Sequence, residues 1–310
     1  MKKAMLITFG VMTLALLSLA FYLFSLVPRA DIEKLQNGYV AYSIEKNKEA
    51  KVSYKVVTKK PKTWKSLNQI SPHLVNAVLL SEDWSFYDHD GVDYKQVAEA
   101  LDDGLNGKKL RGASTISQQV VKNVFLSSER SYWRKLKEMG ITFWLEYKLS
   151  KDKILEVYLN IAHWGEGIYG AEGASRFYFS KSAGALNPLE AAYLATLLPS
   201  PVRYGESFRK KELTDFARNN INSILDKMVV AKKLSAEDAY RYKRTPLFRE
   251  DSIIKKQKRK FSKKKLYHDG NELEGYYAHD PDSLVKENIK YDDDALDEKF
   301  EIKDQEFSLE

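Results

Sequence analysis

From Ala4 to Pro28 the chain carries no charged residue, and the stretch from Met5 to Val27 is rich in Leu, Phe, Ala and Val. As a helix of ~23 residues that core reaches ~35 Å, enough to cross a hydrocarbon layer of ~30 Å. Lys2 and Lys3 precede it and Arg29 follows it, a balance that favours a cytoplasmic N-terminus. A cleaved signal peptide is the competing reading. Against it, the apolar run exceeds the ~7–15 residues usual in such peptides, and no clear A-x-A site follows. The expectation is an uncleaved, single-pass anchor in the cytoplasmic (inner) membrane. The rest of the chain then lies on the periplasmic or extracellular face.

The remaining sequence has to fold in water, and its composition permits that. Over 310 residues, 44% are hydrophobic and 30% charged, which excludes a wholly disordered, collagen-like or coiled-coil chain. There is no cysteine, so a disulfide scaffold, a thiolate zinc site and a cysteine nucleophile are all excluded. The net charge of +7 is unevenly spread: +3 in residues 1–30, +8 in 31–245 and −4 in 246–310.

Those three regions set the expected organisation. Residues 1–30 form the anchor. Residues 31–62 mix β-branched and charged residues, with two short strands expected at Tyr39–Ile44 and Val52–Val57, read as a juxtamembrane stalk. Residues 63–245 form the main domain, and its patterning is helical. Ser71 is a credible cap with Pro72 in the first turn, and Leu74, Val75, Val78 and Leu79 recur at helical spacing. Further helices are expected at Tyr94–Leu105, Ser114–Phe125, Ser131–Leu149, Lys151–Leu159, Pro188–Leu198 and Phe208–Ala231. Residues 246–310 differ in chemistry. Lys255–Lys265 holds eight basic residues in eleven, and Asp269 onward holds fifteen acids against four lysines. Such runs read as a solvated, disordered tail.

Four clusters carry the chemistry. In the first, an apolar helix runs into Glu82 and Asp83, then Phe86, His89 and Gly91. A carboxylate among apolar neighbours has a raised pKa, which suits a general base. The same residues also read as a helix end with surface acids. In the second, Ser114 looks like an N-cap, with Gln118 and Lys122 on the same helical face. Hydroxyl, amide and ammonium groups at a helix N-terminus suit an anionic or sugar ligand. A plain solvent-facing surface fits equally well.

In the third cluster, Arg130, Arg134 and Lys137 form one stripe, and Glu138 is placed to pair with the lysines or to ligate a hard cation. Between Arg111 and Lys153 there are nine basic and four acidic residues. A cationic stripe can hold a diphosphate, although ion-paired helix faces share the pattern. In the fourth, Ile154, Leu155, Tyr158 and Leu159 make a core stripe, and Glu156 reads as exposed or structural.

In order, these segments read E-D-x-x-F-x-x-H-x-G, G-x-S-T-I-x-Q-Q-x-x-K-N, R-K-x-K-E and K-x-x-I-L-E-x-Y-L-N. The later Ala191–Ala195 and Leu198–Pro201 supply a fifth. Over residues 63 to 243 the chain resembles the family 51 glycosyltransferases that polymerise peptidoglycan, and its Trp164-Gly165-Glu166-Gly167 loop is similar to that of the monofunctional members. The resemblance implies a mainly α, lysozyme-like, two-lobed domain with a small β element.

It implies that Glu82 is the general base acting on the 4-hydroxyl of lipid II. That oxygen attacks the anomeric carbon of a growing lipid-linked glycan chain, which inverts and releases undecaprenyl diphosphate. It implies that Glu138 lies near the donor diphosphate and helps hold a divalent cation, magnesium or manganese. Lys122, Arg130, Arg134, Lys135 and Lys137 match the residues near phosphate. Ser114, Gln118 and Gln119 match the substrate groove. Asp83, Phe86, His89, Thr115 and Asn123, from the same motifs, join the expected substrate-binding set, and Asn160 matches a structural residue. Expected partners are lipid II, the membrane and other cell-wall synthesis or division proteins, with no nucleic acid.

Three alternatives compete with this resemblance. A lysozyme-like hydrolase needs a general acid and has no use for a cationic stripe. A transpeptidase domain has no room after Ser262-x-x-Lys265. A non-catalytic scaffold would not need both glutamates.

Overall fold

The computed structural model describes residues 2–45, 51–107, 114–127 and 131–248. The chain opens with α1 (Lys2–Ser25) and α2 (Arg29–Asn37), followed by the antiparallel hairpin β1 (Tyr39–Glu45) and β2 (Lys51–Val57). Helices α3 (Pro72–Glu82), α4 (Tyr94–Leu105), α5 (Ile116–Phe125), α6 (Tyr132–Lys148) and α7 (Lys151–Ile161) come next. A second small hairpin, β3 (His163–Gly165) and β4 (Ile168–Tyr169), leads into α8 (Ala171–Phe179) and α9 (Pro188–Leu197). The domain ends with α10 (Pro201–Tyr204), α11 (Glu206–Lys210), α12 (Asp215–Val230) and α13 (Ala236–Arg244). The fold is mainly α with a small β content, as expected.

Helix α9 is the centre of the domain. Every residue from Pro188 to Leu197 is buried, which is how a helix apolar on all sides must sit. Asn187 caps it reciprocally with Glu190, and Pro188 occupies the first turn. It packs against α3 and α12, so the helix that ends at Glu82 is fixed along its length. Ser71 caps α3 as the sequence implied, and its hydroxyl also donates to the Leu186 carbonyl at 2.7 Å.

The first hairpin is not a stalk. Val40 and Val56 turn inward into the core, β1 packs on α7 and β2 on α5, and Tyr54 donates to the Ile161 carbonyl at 3.2 Å. Burial of that one face outweighs the charged character of the other, so the segment is built into the domain. The single helix read over Phe208–Ala231 is two helices. Lys211 adopts a left-handed backbone (φ +56°), and Thr214 starts α12 by accepting from the Ala217 N–H. Leu247 and Phe248 still pack on the core, so the domain extends past residue 245.

Helix α1 is unbroken from Lys2 to Ser25, and Ile7, Phe9 and Leu14 on it are exposed. Among the described residues no helix is long and apolar enough to cross a membrane. Of the charged tail read over 246–310, residues 249–310 lie outside the described residues.

Candidate active site

Helix α3 ends at Glu82 because Asp83 leaves helical geometry (φ −159°, ψ 77°). Asp83 then turns its carboxylate inward, where it is buried. One oxygen accepts the Ile116 N–H at 2.9 Å, an otherwise unpaired donor at the start of α5. The other lies 3.0 Å from His89 Nε2. Because His89 Nδ1 accepts the Gly91 N–H at 3.1 Å, the ring proton sits on Nε2 and points at Asp83.

Gly91 is the knuckle of this loop. Its φ is +90°, and a Cβ there would come within 2.7 Å of Thr142 Cγ2. Its carbonyl accepts the Thr115 hydroxyl at 2.6 Å, and the Thr142 hydroxyl donates to the Glu138 carbonyl at 2.7 Å. The loop from 83 to 93 thus ties the end of α3 to the start of α5 and to the α6 turn that carries Glu138.

With its neighbour locked inside, Glu82 stands half-buried and free to act. Its Oε2 accepts from Gln119 Nε2 at 2.8 Å, and Gln119 Oε1 accepts from the Tyr158 hydroxyl at 3.2 Å. Tyr158 is buried on α7, so the amide between them has one orientation. Burial holds the Glu82 carboxyl above the usual carboxylate range. The Gln119 bond and the Lys122 charge oppose that shift, and the Asp83 charge adds to it. Lys122 is exposed on the same helix as Gln119.

Glu138 is buried on α6, its oxygens taken by Lys135 Nζ at 2.6 Å and Arg134 Nη1 at 3.4 Å. Arg134 Nε is buried without a partner among the described residues, while Lys137 is half-buried on the next turn. Among the described residues no three His, Asp or Glu side chains stand close enough to cage an ion. With both Glu138 oxygens already on cations, the donor set does not fit the expected divalent ion.

The other expected residues divide by location. Thr115, not Ser114, caps α5, and it does so reciprocally with Gln118, so both are buried as structural groups. Ser114 is exposed and Asn123 half-buried. Phe86 is wholly buried, with the Lys151 ammonium 4.6 Å from its ring centroid. Glu156 accepts from Trp64 Nε1 and the Leu67 N–H, and Asn160 bonds both backbone groups of Lys65, so these two staple the segment before α3 to α7. Arg130 lies outside the described residues.

Three contributors escaped the sequence reading. Tyr158 looked like core alone, yet its hydroxyl orients Gln119. Thr142 backs both Gly91 and Glu138. Glu146 accepts from Ser117 at 2.5 Å and Lys151 at 2.7 Å. Only helical spacing hinted at them: Thr142 and Glu146 follow Glu138 at successive i+4 steps.

Glu82 is thus half-buried with one hydrogen-bond donor, and Glu138 is buried against two cations. A family model described as Transglycosylase matches residues 34–229, more than half of the chain. A biosynthetic peptidoglycan transglycosylase of Azoarcus sp. (strain BH72) is 50% identical over 147 residues, 47% of this chain and 64% of that protein. One from Rhodospirillum centenum is 44% identical over 170 residues, covering 55% of this chain and 72% of the relative. One from Shewanella oneidensis is 51% identical over 141 residues, 46% and 60% of the two chains. The chain thus spans somewhat less than two thirds of the first of these relatives. By the extent of these matches, the chain belongs to the transglycosylase family.

Proposed function

We propose that the protein is a monofunctional peptidoglycan glycosyltransferase that polymerises lipid II into β-1,4-linked glycan. The observation that carries this reading is the Glu82–Gln119–Tyr158 relay, which fixes one carboxylate of raised pKa beside a cationic helix face. Glu82 takes the proton of the acceptor 4-hydroxyl as that oxygen bonds to the donor's anomeric carbon. The anomeric bond to the diphosphate breaks from the opposite side, so the configuration inverts. Undecaprenyl diphosphate leaves with the bonding electron pair, and the proton passes from Glu82 to solvent.

A diphosphate departs without a general acid if cations receive its charge, which gives Lys122, Arg134 and Lys137 their role. A hydrolase would need a second free carboxylate beside the bond. Asp83 is consumed inside the protein, and Glu138 carries two cations. In this reading α1 holds the domain at the membrane surface where the lipid-linked substrates reside.

The direct test is incubation with lipid II and separation of the products before and after muramidase digestion. Long, muramidase-sensitive strands are the expected result; their absence in lipid or detergent would overturn the reading. Two variants probe its parts. Gln119→Leu removes a bond that lowers the Glu82 pKa, so the acid limb of the rate profile should move to higher pH. kcat should fall about ten- to a hundredfold as the base loses its orientation. Lys137→Ala should raise KM for the donor about tenfold through one lost charge-assisted contact. Unchanged lipid II kinetics would remove Lys137 from the donor site.

A further inference from the structure

Between α9, the loop at Lys211 and Leu213, α12 and residues 242–248 lies a cavity of about 270 Å³. Leu189, Leu213 and Ile221 line its apolar part, and Lys211, Arg218, Lys243 and Arg244 bring cations to it. Lys243 is neutralised by Asp226 at 2.5 Å. The other three cations are not, and Arg244 donates to the Tyr240 hydroxyl instead. Arg218 is exposed and pairs with no carboxylate among the described residues. Lys211 turns its ammonium over the Phe208 ring, 3.3 Å from the centroid.

Lys211 is an outlier twice over. It holds a left-handed backbone, which a lysine adopts only at a cost. Lys211 is exposed, yet partial loss of water around its ammonium pulls its pKa down to about 8. On α12, Arg218, Ile221 and Asn222 fall at i, i+3 and i+4, so one face offers guanidinium, aliphatic carbon and amide to the same space. Three exposed cations without a carboxylate partner among the described residues, set around an apolar concavity, favour an anion that carries an apolar body.

We infer that this cavity is a binding site for a small organic anion, a phosphate or carboxylate carried on a compact apolar body such as an aryl or acyl group. Arg218 and Lys211 take the anionic head, and Leu189, Leu213 and Ile221 take the apolar body. The volume of about 270 Å³ accommodates a single ring with its head group. The site is independent of the reading of Glu82, because no residue is shared.

Phenyl phosphate and pyridoxal phosphate serve as probes on the full chain. Phenyl phosphate should bind at least tenfold more tightly than inorganic phosphate, measured by calorimetry. Arg218→Glu should weaken it at least tenfold. So should Lys211→Gly, a substitution that relieves the backbone and therefore keeps the fold. Pyridoxal phosphate tests the amine directly. The Lys211 Nζ adds to the aldehyde carbon, water leaves, and borohydride supplies the hydride that fixes the imine as a secondary amine. Peptide mapping should find the label concentrated on Lys211 and suppressed by phenyl phosphate. Equal affinity for inorganic phosphate would overturn the apolar subsite. Labelling spread over exposed lysines, indifferent to Arg218→Glu and to phenyl phosphate, would overturn the site altogether.

Discussion

Glu82→Gln should fold as the parent does and form no glycan above background from lipid II. The amide keeps the size of the carboxylate, and its oxygen still accepts from Gln119 Nε2, so the relay to Tyr158 survives. What disappears is the carboxylate that, on the proposed mechanism, takes the acceptor proton. General-base catalysis typically supplies about 10²–10⁴-fold, and here the same group also orients the nucleophile, so the loss should lie at the upper end.

The parent's pH profile offers a second handle on the same residue. Burial holds the Glu82 pKa above that of an ordinary carboxylate. A base must be deprotonated to work, so the rate should fall with acidity at a higher pH than a solvent-exposed glutamate would give. Kinetics across that range, with far-UV dichroism to confirm folding, checks both statements. Strand formation by Glu82→Gln within tenfold of the parent would move the base elsewhere.

The distance between sequence and structure is instructive at these same residues. Caps, apolar stripes and the Ser71-Pro72 start are local signals, so α4, α5, α6, α7 and α9 were legible within a residue or two, whereas α2, α8 and α13 were not read. The strands were legible as well, but not their place, because a half-polar hairpin does not reveal which partner covers Val40 and Val56. The helix break at Lys211 was hidden for a different reason: a left-handed lysine has no sequence mark, and Thr214 is ordinary inside an apparent helix.

At the site, the motif residues were found, yet their division of labour was not. Asp83, Thr115 and Gln118 stand in the same motifs as Glu82 and Gln119 and face the interior. Which member of a polar run turns inward is decided by long-range partners such as Ile116 N–H and Gly91, and no spacing rule encodes those.

Asp83 is where that division can be measured. If its work is structural, Asp83→Asn should destabilise the domain by about 3 kcal/mol, as expected when a buried charged hub loses half its bonds. The asparagine oxygen can still accept the Ile116 N–H. Its amide nitrogen then meets His89 Nε2–H, donor against donor, and the ring cannot turn away without releasing the Gly91 N–H from Nδ1. For a domain of this size that cost lowers Tm by roughly 6–12 °C. Activity should fall with it, since the loop that Asp83 anchors also positions Glu82 and backs the Glu138 turn. His89→Ala should couple to Asp83→Asn by about 1–3 kcal/mol in a double-mutant cycle, because both break one network. A substrate-binding aspartate would behave in the opposite way: unfolding would be unchanged, the cycle additive, and KM for lipid II raised. Thermal unfolding and steady-state kinetics on the two single variants and the pair therefore decide whether the second carboxylate of the motif holds the site or touches its ligand.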